Sequence, residues 1–189
     1  MTLTLLILLA LVLVLAAAVL GYLGLVTGAL ALDLGAGRRT RPLGPQIVDI
    51  AAPRELIYDI IAQPYLGRAT RAMKEKVQVL ERGEGMVLAA HYTPVRGRLR
   101  AQTVETVRFS RPDTVDFRLV RGPVPHVVER FTLTDHDGGT RLEYTGEMAG
   151  DGWALGAWWT GAVAGRWEAA VAGTLTAVKT EAEHRSSRR

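Results

Sequence analysis

The chain contains no cysteine and no asparagine, and these two absences remove several classes of site. Without cysteine there are no disulfides, no thiolate metal ligands and no cysteine nucleophile. Without asparagine there is no acceptor for N-glycosylation. Serine is scarce as well, because Ser110, Ser186 and Ser187 are the only three, and none lies in a G-x-S-x-G turn. A serine nucleophile of the hydrolase kind is therefore not expected.

Charge is absent from the first 32 residues, whereas all 23 basic and 19 acidic residues lie beyond them. Leu3–Leu32 consists mainly of Leu, Val and Ala, and about 20 apolar residues suffice to cross a bilayer as a helix. We therefore predict a transmembrane anchor at residues 1–32. A cleaved signal peptide is the alternative, since Ala29-Leu30-Ala31 resembles a cleavage site. Against it, no Lys or Arg precedes the run, which exceeds the usual core of about 7–15 residues.

The basic residues that follow the apolar run predict its orientation. Arg38, Arg39 and Arg41 lie just after it, and no charged side chain precedes it. The positive-inside rule then predicts a single-pass protein of the cell membrane, with its N-terminus outside and its domain in the cytoplasm. Gly24 and Gly28 form a G-x-x-x-G pattern, which offers a close helix–helix contact for a homodimer.

Composition divides the rest of the chain into three parts. Residues 33–44 are rich in Gly, Arg and Pro and predict a flexible basic linker. Residues 45–183 predict the folded domain. Residues 184–189 are polar and basic and predict a disordered tail.

The apolar period changes twice within the domain. Gln46–Ile50 predicts a strand, and Pro53 opens a helix with an apolar stripe that Pro64 ends. From Val77 to Tyr144 the period is two, with turn signals between about six further strands and a parity shift in Arg98–Ser110 that indicates a bulge. Trp153–Lys179 predicts one long amphipathic helix. The class is therefore α+β, with a curved antiparallel sheet that the long helix covers.

These elements resemble the SRPBCC superfamily of START-like, polyketide cyclase/dehydrase-like helix-grip domains. The resemblance rests on Ile47–Pro53 leading into Leu56–Ile61, on Asp137–Leu142 before the last strand, and on Gly165–Glu168 in the closing helix. It covers residues 45–183 and implies a curved sheet wrapped around the C-terminal helix. It also implies an interior cavity for lipids, polyketides or other apolar molecules. An N-terminal anchor is not part of the usual family pattern.

Polar residues at strand positions of apolar parity are the candidates for chemistry. Glu129 shares its parity with Val127 and Phe131, so strict alternation predicts that it faces the interior, where its pKa would be raised. A bulge that turns it outward, or pairing with Arg118 or Arg121, is the alternative. The predicted ligand-binding residues, each of which also fits an ordinary core, are Tyr92, Phe117, Glu129, Phe131, Tyr144, Trp159 and Trp167.

No motif predicts a metal or a cofactor. The four histidines lack metal-ligand spacing, and there is no phosphate-binding glycine loop. Nucleic acid is not a predicted partner either, because the net charge is only +4 and the basic cluster at Arg96, Arg98 and Arg100 has no interleaved aromatics. That cluster fits a solvated face or a surface that lies against the membrane.

Three functions remain open at this point. The first is a membrane-anchored module that binds an apolar small molecule or lipid without a reaction. The second is a cyclase-like or hydrolase-like enzyme that uses Glu129 with Tyr92 or Tyr144 for proton transfer. The third is a structural or regulatory membrane protein with a filled interior that docks a partner.

Overall fold

The alternating apolar patterns of the domain become the strands of one antiparallel sheet. The computed structural model describes residues 2–67, 70, 73 and 75–188. Within them the sheet has seven strands in the order β1-β7-β6-β5-β4-β3-β2. The strands are β1 (Arg39–Ile50), β2 (Val77–Gly83), β3 (Met86–Arg96), β4 (Leu99–Ser110), β5 (Thr114–Arg121), β6 (His126–His136) and β7 (Gly139–Gly150). The helices are α1 (Thr2–Val26), α2 (Arg54–Ala62) and α3 (Trp153–Ser186).

The long helix α3 covers one face of the sheet, as the helix-grip prediction requires. It packs against β1, β7 and α2. Its buried side includes Val171, Leu175 and Val178 at helical spacing, which extends to Ala182. On the sheet, Leu133, Leu142 and Tyr144 are almost completely buried beneath it. The predicted fold class is thereby confirmed.

The bulge predicted within Arg98–Ser110 is wrong for that strand, because the buried positions Thr103, Glu105 and Val107 of β4 alternate without a shift, and the irregularity lies on the partner strand β5. Val104 of β4 pairs with Arg121 of β5, but the next residue, Glu105, pairs with Leu119. Val120 is therefore the extra residue, and it lies on β5 rather than on β4. Its side chain is exposed, as expected for a residue left out of the ladder.

The segment predicted to be a flexible linker is instead bound to the domain. Residues 39–44 belong to β1 and pair with the end of β7. Just before them, the carboxylate of Asp151 accepts hydrogen bonds from the backbone N–H groups of Leu34 and Gly35 and from the Arg38 guanidinium. Backbone pairing and this carboxylate replace the apolar contacts that the segment lacks.

The predicted disordered tail is likewise helical as far as Ser186. Ala182 is fully buried, and Arg185 bonds to Glu181 one turn earlier at 2.5 Å. Basic residues in the last turn, His184 and Arg185, also suit the negative end of the helix dipole. The helix therefore continues about two turns beyond the predicted end at Lys179.

The apolar run forms the separate helix α1. Leu3–Val26 has 24 residues and contains an 18-residue window with a mean hydropathy of 3.2 and no buried residue, so it is long and apolar enough to cross a membrane. Only its C-terminal end approaches the domain, where Tyr22 contacts Trp159 edge to face with ring centroids 6.3 Å apart.

Candidate functional site

Glu129 lies in the interior, on the face of the sheet that alternation predicts. Its neighbours of the same parity on β6, Val127 and Phe131, are buried, and Glu129 itself is only 8% exposed. The Tyr144 hydroxyl on β7 and the Trp167 indole on α3 both donate hydrogen bonds to Glu129 Oε1, each at 2.6 Å. The carboxyl group thus joins the sheet to the covering helix.

A second buried carboxyl group, Glu105 of β4, faces the same interior. It is 5% exposed and accepts a hydrogen bond of 2.6 Å from the Thr103 hydroxyl. Its other oxygen, Oε2, lies 3.3 Å from His91 Nδ1. The opposite ring nitrogen of His91, Nε2, lies 2.8 Å from the hydroxyl oxygen of Tyr65. These contacts connect the carboxyl group of Glu105, the imidazole of His91 and the phenol of Tyr65 one after another.

Aromatic rings connect the two carboxyl groups. Phe117 of β5 contacts both Tyr65 and Phe131, with ring centroids 6.1 and 5.7 Å apart respectively. Phe131 in turn contacts Tyr144 at 5.4 Å. Because β5 lies between β4 and β6, the strands of the two carboxyl groups are about 10 Å apart. We call this set the interior acid cluster: Tyr65, His91, Thr103, Glu105, Phe117, Glu129, Phe131, Tyr144 and Trp167.

Burial changes the proton affinity of both carboxyl groups. It raises the pKa of Glu105 to about 7, although the Thr103 hydrogen bond opposes the shift. It also raises the pKa of Glu129 to about 7, with a further contribution from the charge of Glu105, while the hydrogen bonds from Tyr144 and Trp167 oppose the shift. Each group is therefore able to gain or lose a proton near neutral pH.

His91 is the point at which the cluster is incompletely bonded. Burial lowers its pKa to about 4, so the imidazole is neutral at pH 7. Its Nδ1 atom makes no aligned hydrogen bond within the described part of the chain. The side chain as a whole is 17% exposed, whereas the Nδ1 atom itself is buried. A polar group of a ligand or a water molecule could satisfy this nitrogen.

The structure brings together five of the seven predicted ligand-binding residues. Phe117, Glu129, Phe131, Tyr144 and Trp167 belong to the interior acid cluster. Glu129 is bonded to Tyr144 and Trp167 rather than to Arg118 or Arg121, so the outward alternative is wrong.

Tyr92 and Trp159 lie elsewhere. Tyr92 lies on the opposite face of β3 and donates a hydrogen bond to Gln78. The prediction that Tyr92 faces the interior is wrong, since Val87 and Ala89 of β3 face the core and His91, not Tyr92, shares their parity. The Trp159 indole donates to the Pro123 carbonyl, near the end of α1.

Sequence reasoning missed Tyr65, His91, Thr103 and Glu105. A signal was present for the last two, because Thr103 and Glu105 share the parity of Val107 and Phe109. His91 shares the parity of Val87 and Ala89, but the other face of β3 is apolar as well, so the sequence does not indicate which face is buried. Tyr65 follows the end of α2, where no period indicates the direction of a side chain.

The surface cavities formed by described residues include two that do not involve the cluster. One, of about 300 Å³, is lined by residues that include Asp49, His136 and Lys179. The other, of about 290 Å³, lies where the end of α1 meets Gln102 and Arg121.

Comparison with known proteins agrees with this geometry. Residues 46–183 match the family described as polyketide cyclase/dehydrase and lipid transport. The chain belongs to this family. The match covers the whole sheet from within β1 and nearly all of α3, and it leaves α1 outside. No curated protein matches the chain.

Solved structures of the helix-grip fold resemble this polyketide cyclase/dehydrase family member. The aromatase/cyclase ZhuI from Streptomyces sp. R1128 has 18% identity and a TM-score of 0.58, over 78% of this chain and 95% of that one. The di-domain aromatase/cyclase StfQ of the steffimycin pathway has 16% identity and a TM-score of 0.59, over 80% and 52%. TTHA0849 from Thermus thermophilus has 15% identity and a TM-score of 0.55, over 79% and 97%. At these identities the likeness concerns the fold.

Proposed function

We propose that this protein is a membrane-anchored binding module, and that its helix-grip domain takes up an apolar small molecule or lipid carrying a polar group. The aromatic rings of the interior acid cluster would contact the apolar body. Glu105, His91 and Glu129 would bind the polar group. Helix α1 would hold the domain at the bilayer, from which such a molecule partitions.

The observation that carries the proposal is the pair of buried carboxyl groups beside an incompletely bonded His91. Burying polar groups costs free energy unless they find partners. A purely structural core gains little from two carboxyl groups, since apolar residues of similar volume often stabilise as well or better. A binding role gives both groups a reason to be retained. The family, which includes lipid transport proteins, supports an apolar occupant.

Native mass spectrometry of the full chain, extracted with its membrane lipids in a mild detergent, tests the proposal. We expect a bound mass that survives removal of the detergent from the wild type. Thr103→Phe, which fills the interior beside Glu105, should abolish it. Thr106→Phe, on the outer face of the same strand, is the matched control and should retain it. Circular dichroism confirms that both variants are folded.

The outcome that contradicts binding is a chain without any bound mass, or with the same bound mass in both variants. The former result would favour a filled domain that docks a partner. The latter would indicate lipid held by α1 alone.

A second candidate is acid–base catalysis of a cyclisation or dehydration. Two carboxyl groups with pKa values of about 7, one next to an imidazole and a phenol, are suited to proton transfer at neutral pH. Turnover of a short linear polyketide thioester tests it. We expect product from the wild type and at least a 100-fold loss in Glu129→Gln, but no loss in Glu147→Gln, whose carboxyl is on the surface. Absence of wild-type turnover, with ligand retained, would leave binding as the function.

A further inference from the structure

One end of the sheet collects the features that suit contact with a lipid bilayer. At this end β1, β4 and β6 begin, and β3, β5 and β7 finish, because the sheet is antiparallel throughout. Helix α3 begins here too, directly after β7. We call this the anchor-side end, and its strand termini are Arg39, Arg96, Leu99, Arg121, His126 and Gly150.

Helix α1 meets the domain at this end. The Tyr22 ring packs edge to face against Trp159 in the second turn of α3. Further along, the Arg121 guanidinium donates a hydrogen bond of 2.8 Å to the Ala29 carbonyl. Gly28 lies so close to the Gln102 carbonyl that a Cβ atom there would be 2.8 Å from the oxygen. The anchor-side end is thus the part of the domain nearest to the point where α1 would leave a membrane.

The first turns of α3 expose large apolar side chains at this same place. Trp153 is 63% exposed, Leu155 75% and Trp158 68%. Leu155 and Trp158 are three residues apart, so they share one face of the helix. Nothing in the domain covers this face among the described residues. Leu32 and Leu34, in the segment after α1, are exposed beside it.

Exposed arginines lie at the same end of the sheet, on strands on both sides of β7. Arg39, Arg98, Arg100 and Arg121 are exposed at the anchor-side end. The acidic residues of this end are already paired, Asp33 and Asp151 with Arg38, and Glu147 with His126. The end therefore presents both tryptophans and exposed arginines, and this combination suits the boundary between anionic headgroups and acyl chains.

We propose that the anchor-side end rests on the membrane, with Trp153, Leu155 and Trp158 inserted at the bilayer interface and the exposed arginines on anionic lipid phosphates. The inference rests on the proposed role of α1 as an anchor. It adds that the domain is held in one orientation on the membrane surface. The occupant is the bilayer itself, because α1 continues directly from this surface.

The cysteine-free chain allows a direct test with single cysteines in the full-length protein. Leu155→Cys is labelled with an environment-sensitive fluorophore and reconstituted in vesicles of phosphatidylcholine and phosphatidylglycerol. Lipids that carry a nitroxide near the headgroup serve as quenchers. The matched control is Ala170→Cys, which is exposed on the same helix about 22 Å further from the anchor-side end. We expect at least threefold stronger quenching at position 155 than at position 170.

A third label separates failure of this inference from failure of the anchor. Leu13→Cys lies in the middle of α1 and should be quenched by lipids with a deep nitroxide. If position 13 is unquenched, the anchor role fails. If position 13 is quenched but position 155 is quenched no more than position 170, the anchor stands and the docking inference is wrong; the exposed face would then be free for a protein partner. Replacing phosphatidylglycerol with phosphatidylcholine should lower quenching at position 155, and unchanged quenching would show that the arginines do not bind anionic lipid.

Discussion

Glu129 and Glu105 occupy strand positions where the sheet would ordinarily carry apolar side chains, and both are held by neutral donors. Tyr144 and Trp167 donate to one, and Thr103 donates to the other. Without a positive charge beside it, a buried carboxyl group is more stable when protonated. The interior acid cluster therefore makes the stability of the domain depend on pH near neutrality.

The first prediction concerns that dependence. Each carboxyl has a pKa of about 7 in the folded chain, against roughly 4.3 when unfolded. The contribution of each group to the free energy of unfolding is fully present below the pKa of the unfolded chain. It falls by roughly 3 kcal/mol per group as the pH rises to about 7. Between pH 5 and pH 8 the free energy of unfolding should therefore decrease in the wild type by about 2–3 kcal/mol more than in Glu129→Gln. Denaturation of the full chain in detergent measures both.

Comparison with the wild type isolates the glutamate. The lowered pKa of His91 has the opposite effect on the free energy of unfolding, which it reduces as the pH falls below about 6.5, because the unfolded imidazole then gains a proton. This effect is the same in the wild type and in Glu129→Gln, so it cancels in the comparison. Glu147→Gln changes a half-exposed carboxyl and should keep the wild-type profile. Parallel pH profiles for the wild type and Glu129→Gln would contradict the prediction.

A second prediction tests the hydrogen bond between Tyr144 and Glu129. Tyr144→Phe removes a buried donor to Oε1, so we expect a loss of about 1–3 kcal/mol in the free energy of unfolding at pH 8, where the carboxylate is charged. The loss should be smaller at pH 5. Tyr92→Phe is the control, because it makes the same substitution but removes an exposed hydroxyl; it should change the free energy of unfolding by less than about 0.5 kcal/mol. Equal effects of the two variants would show that the bond to Glu129 contributes nothing.

Individual residues could be predicted only where one strand face is clearly apolar. On β6, Val127 and Phe131 define the buried parity, so strict alternation is enough to assign Glu129 to the interior, although it does not exclude a bulge. On β3, the run from Met86 to Tyr92 has apolar residues on both faces, and the sequence offers no reason to prefer the face of His91 over that of Tyr92. The partner strands decide the matter, and they are distant in sequence.

At the scale of elements, β7 and α3 approach each other so closely at their junction that Gly150 and Gly156 leave no room for a side chain. A Cβ atom at Gly156 would collide with the Asp151 carbonyl, and one at Gly150 would collide with the Thr160 hydroxyl. The first turn of α3 therefore lies directly on the strand that precedes it. These contacts fix the direction in which the helix crosses the sheet.

The third prediction compares two glycines of this helix. Gly156→Ala should destabilise the protein by about 1–3 kcal/mol, because the backbone must move to admit the methyl group. Gly165→Ala, an exposed position with open space around it, should stabilise it by up to about 1 kcal/mol. Thermal unfolding of the two variants under the same conditions measures the difference. A neutral or stabilising Gly156→Ala would show that α3 starts differently.

The fourth prediction concerns the carboxylate that binds the segment between α1 and β1. The hydrogen bonds from Arg38 lower the pKa of Asp151 to about 2, so it is charged throughout the physiological range. Asp151→Ala removes the acceptor shared by Leu34, Gly35 and Arg38. We expect trypsin to cleave near Arg38 and Arg39 at least five times faster than in the wild type. In the control variant Asp137→Ala, which changes an exposed hairpin, trypsin should cleave near Arg38 and Arg39 at the wild-type rate.

Helices and strands with a regular pattern of apolar residues could be predicted from the sequence, whereas segments that are ordered only by contacts with distant residues could not. The stripe of α3 and the alternation of the central strands are local patterns. Residues 39–44 have no such pattern, and their strand forms because β7 provides backbone partners. The last turns of α3 likewise depend on a distant contact, the burial of Ala182.

At the scale of the whole molecule, α1 and the domain have opposite characters and are joined by a short bound segment. The fifth prediction concerns their arrangement across the membrane. A membrane-impermeant maleimide should label Thr2→Cys, which precedes the span Leu3–Val26, in intact cells, because three arginines follow the helix and none precedes it. Glu84→Cys, at the turn between β2 and β3, should be labelled only after lysis. Labelling of Glu84→Cys in intact cells would reverse the proposed orientation.

The order of elements predicted the fold of the whole domain, because a helix, a run of hairpins and a long closing helix have few ways to bury their apolar faces together. The interior could not be predicted to the same extent. Its polar groups come from the end of α2, four strands and α3, and only the folded chain brings them together.

Asp151 has one further consequence for how the protein works. The residue bonds to the segment that leaves α1, and it directly precedes the helix whose Trp167 donates to Glu129. Bonded structure about four helical turns long therefore connects the segment after α1 to the helix position that donates to the buried carboxyl group. The entry to the domain and one wall of its interior accordingly belong to a single rigid element.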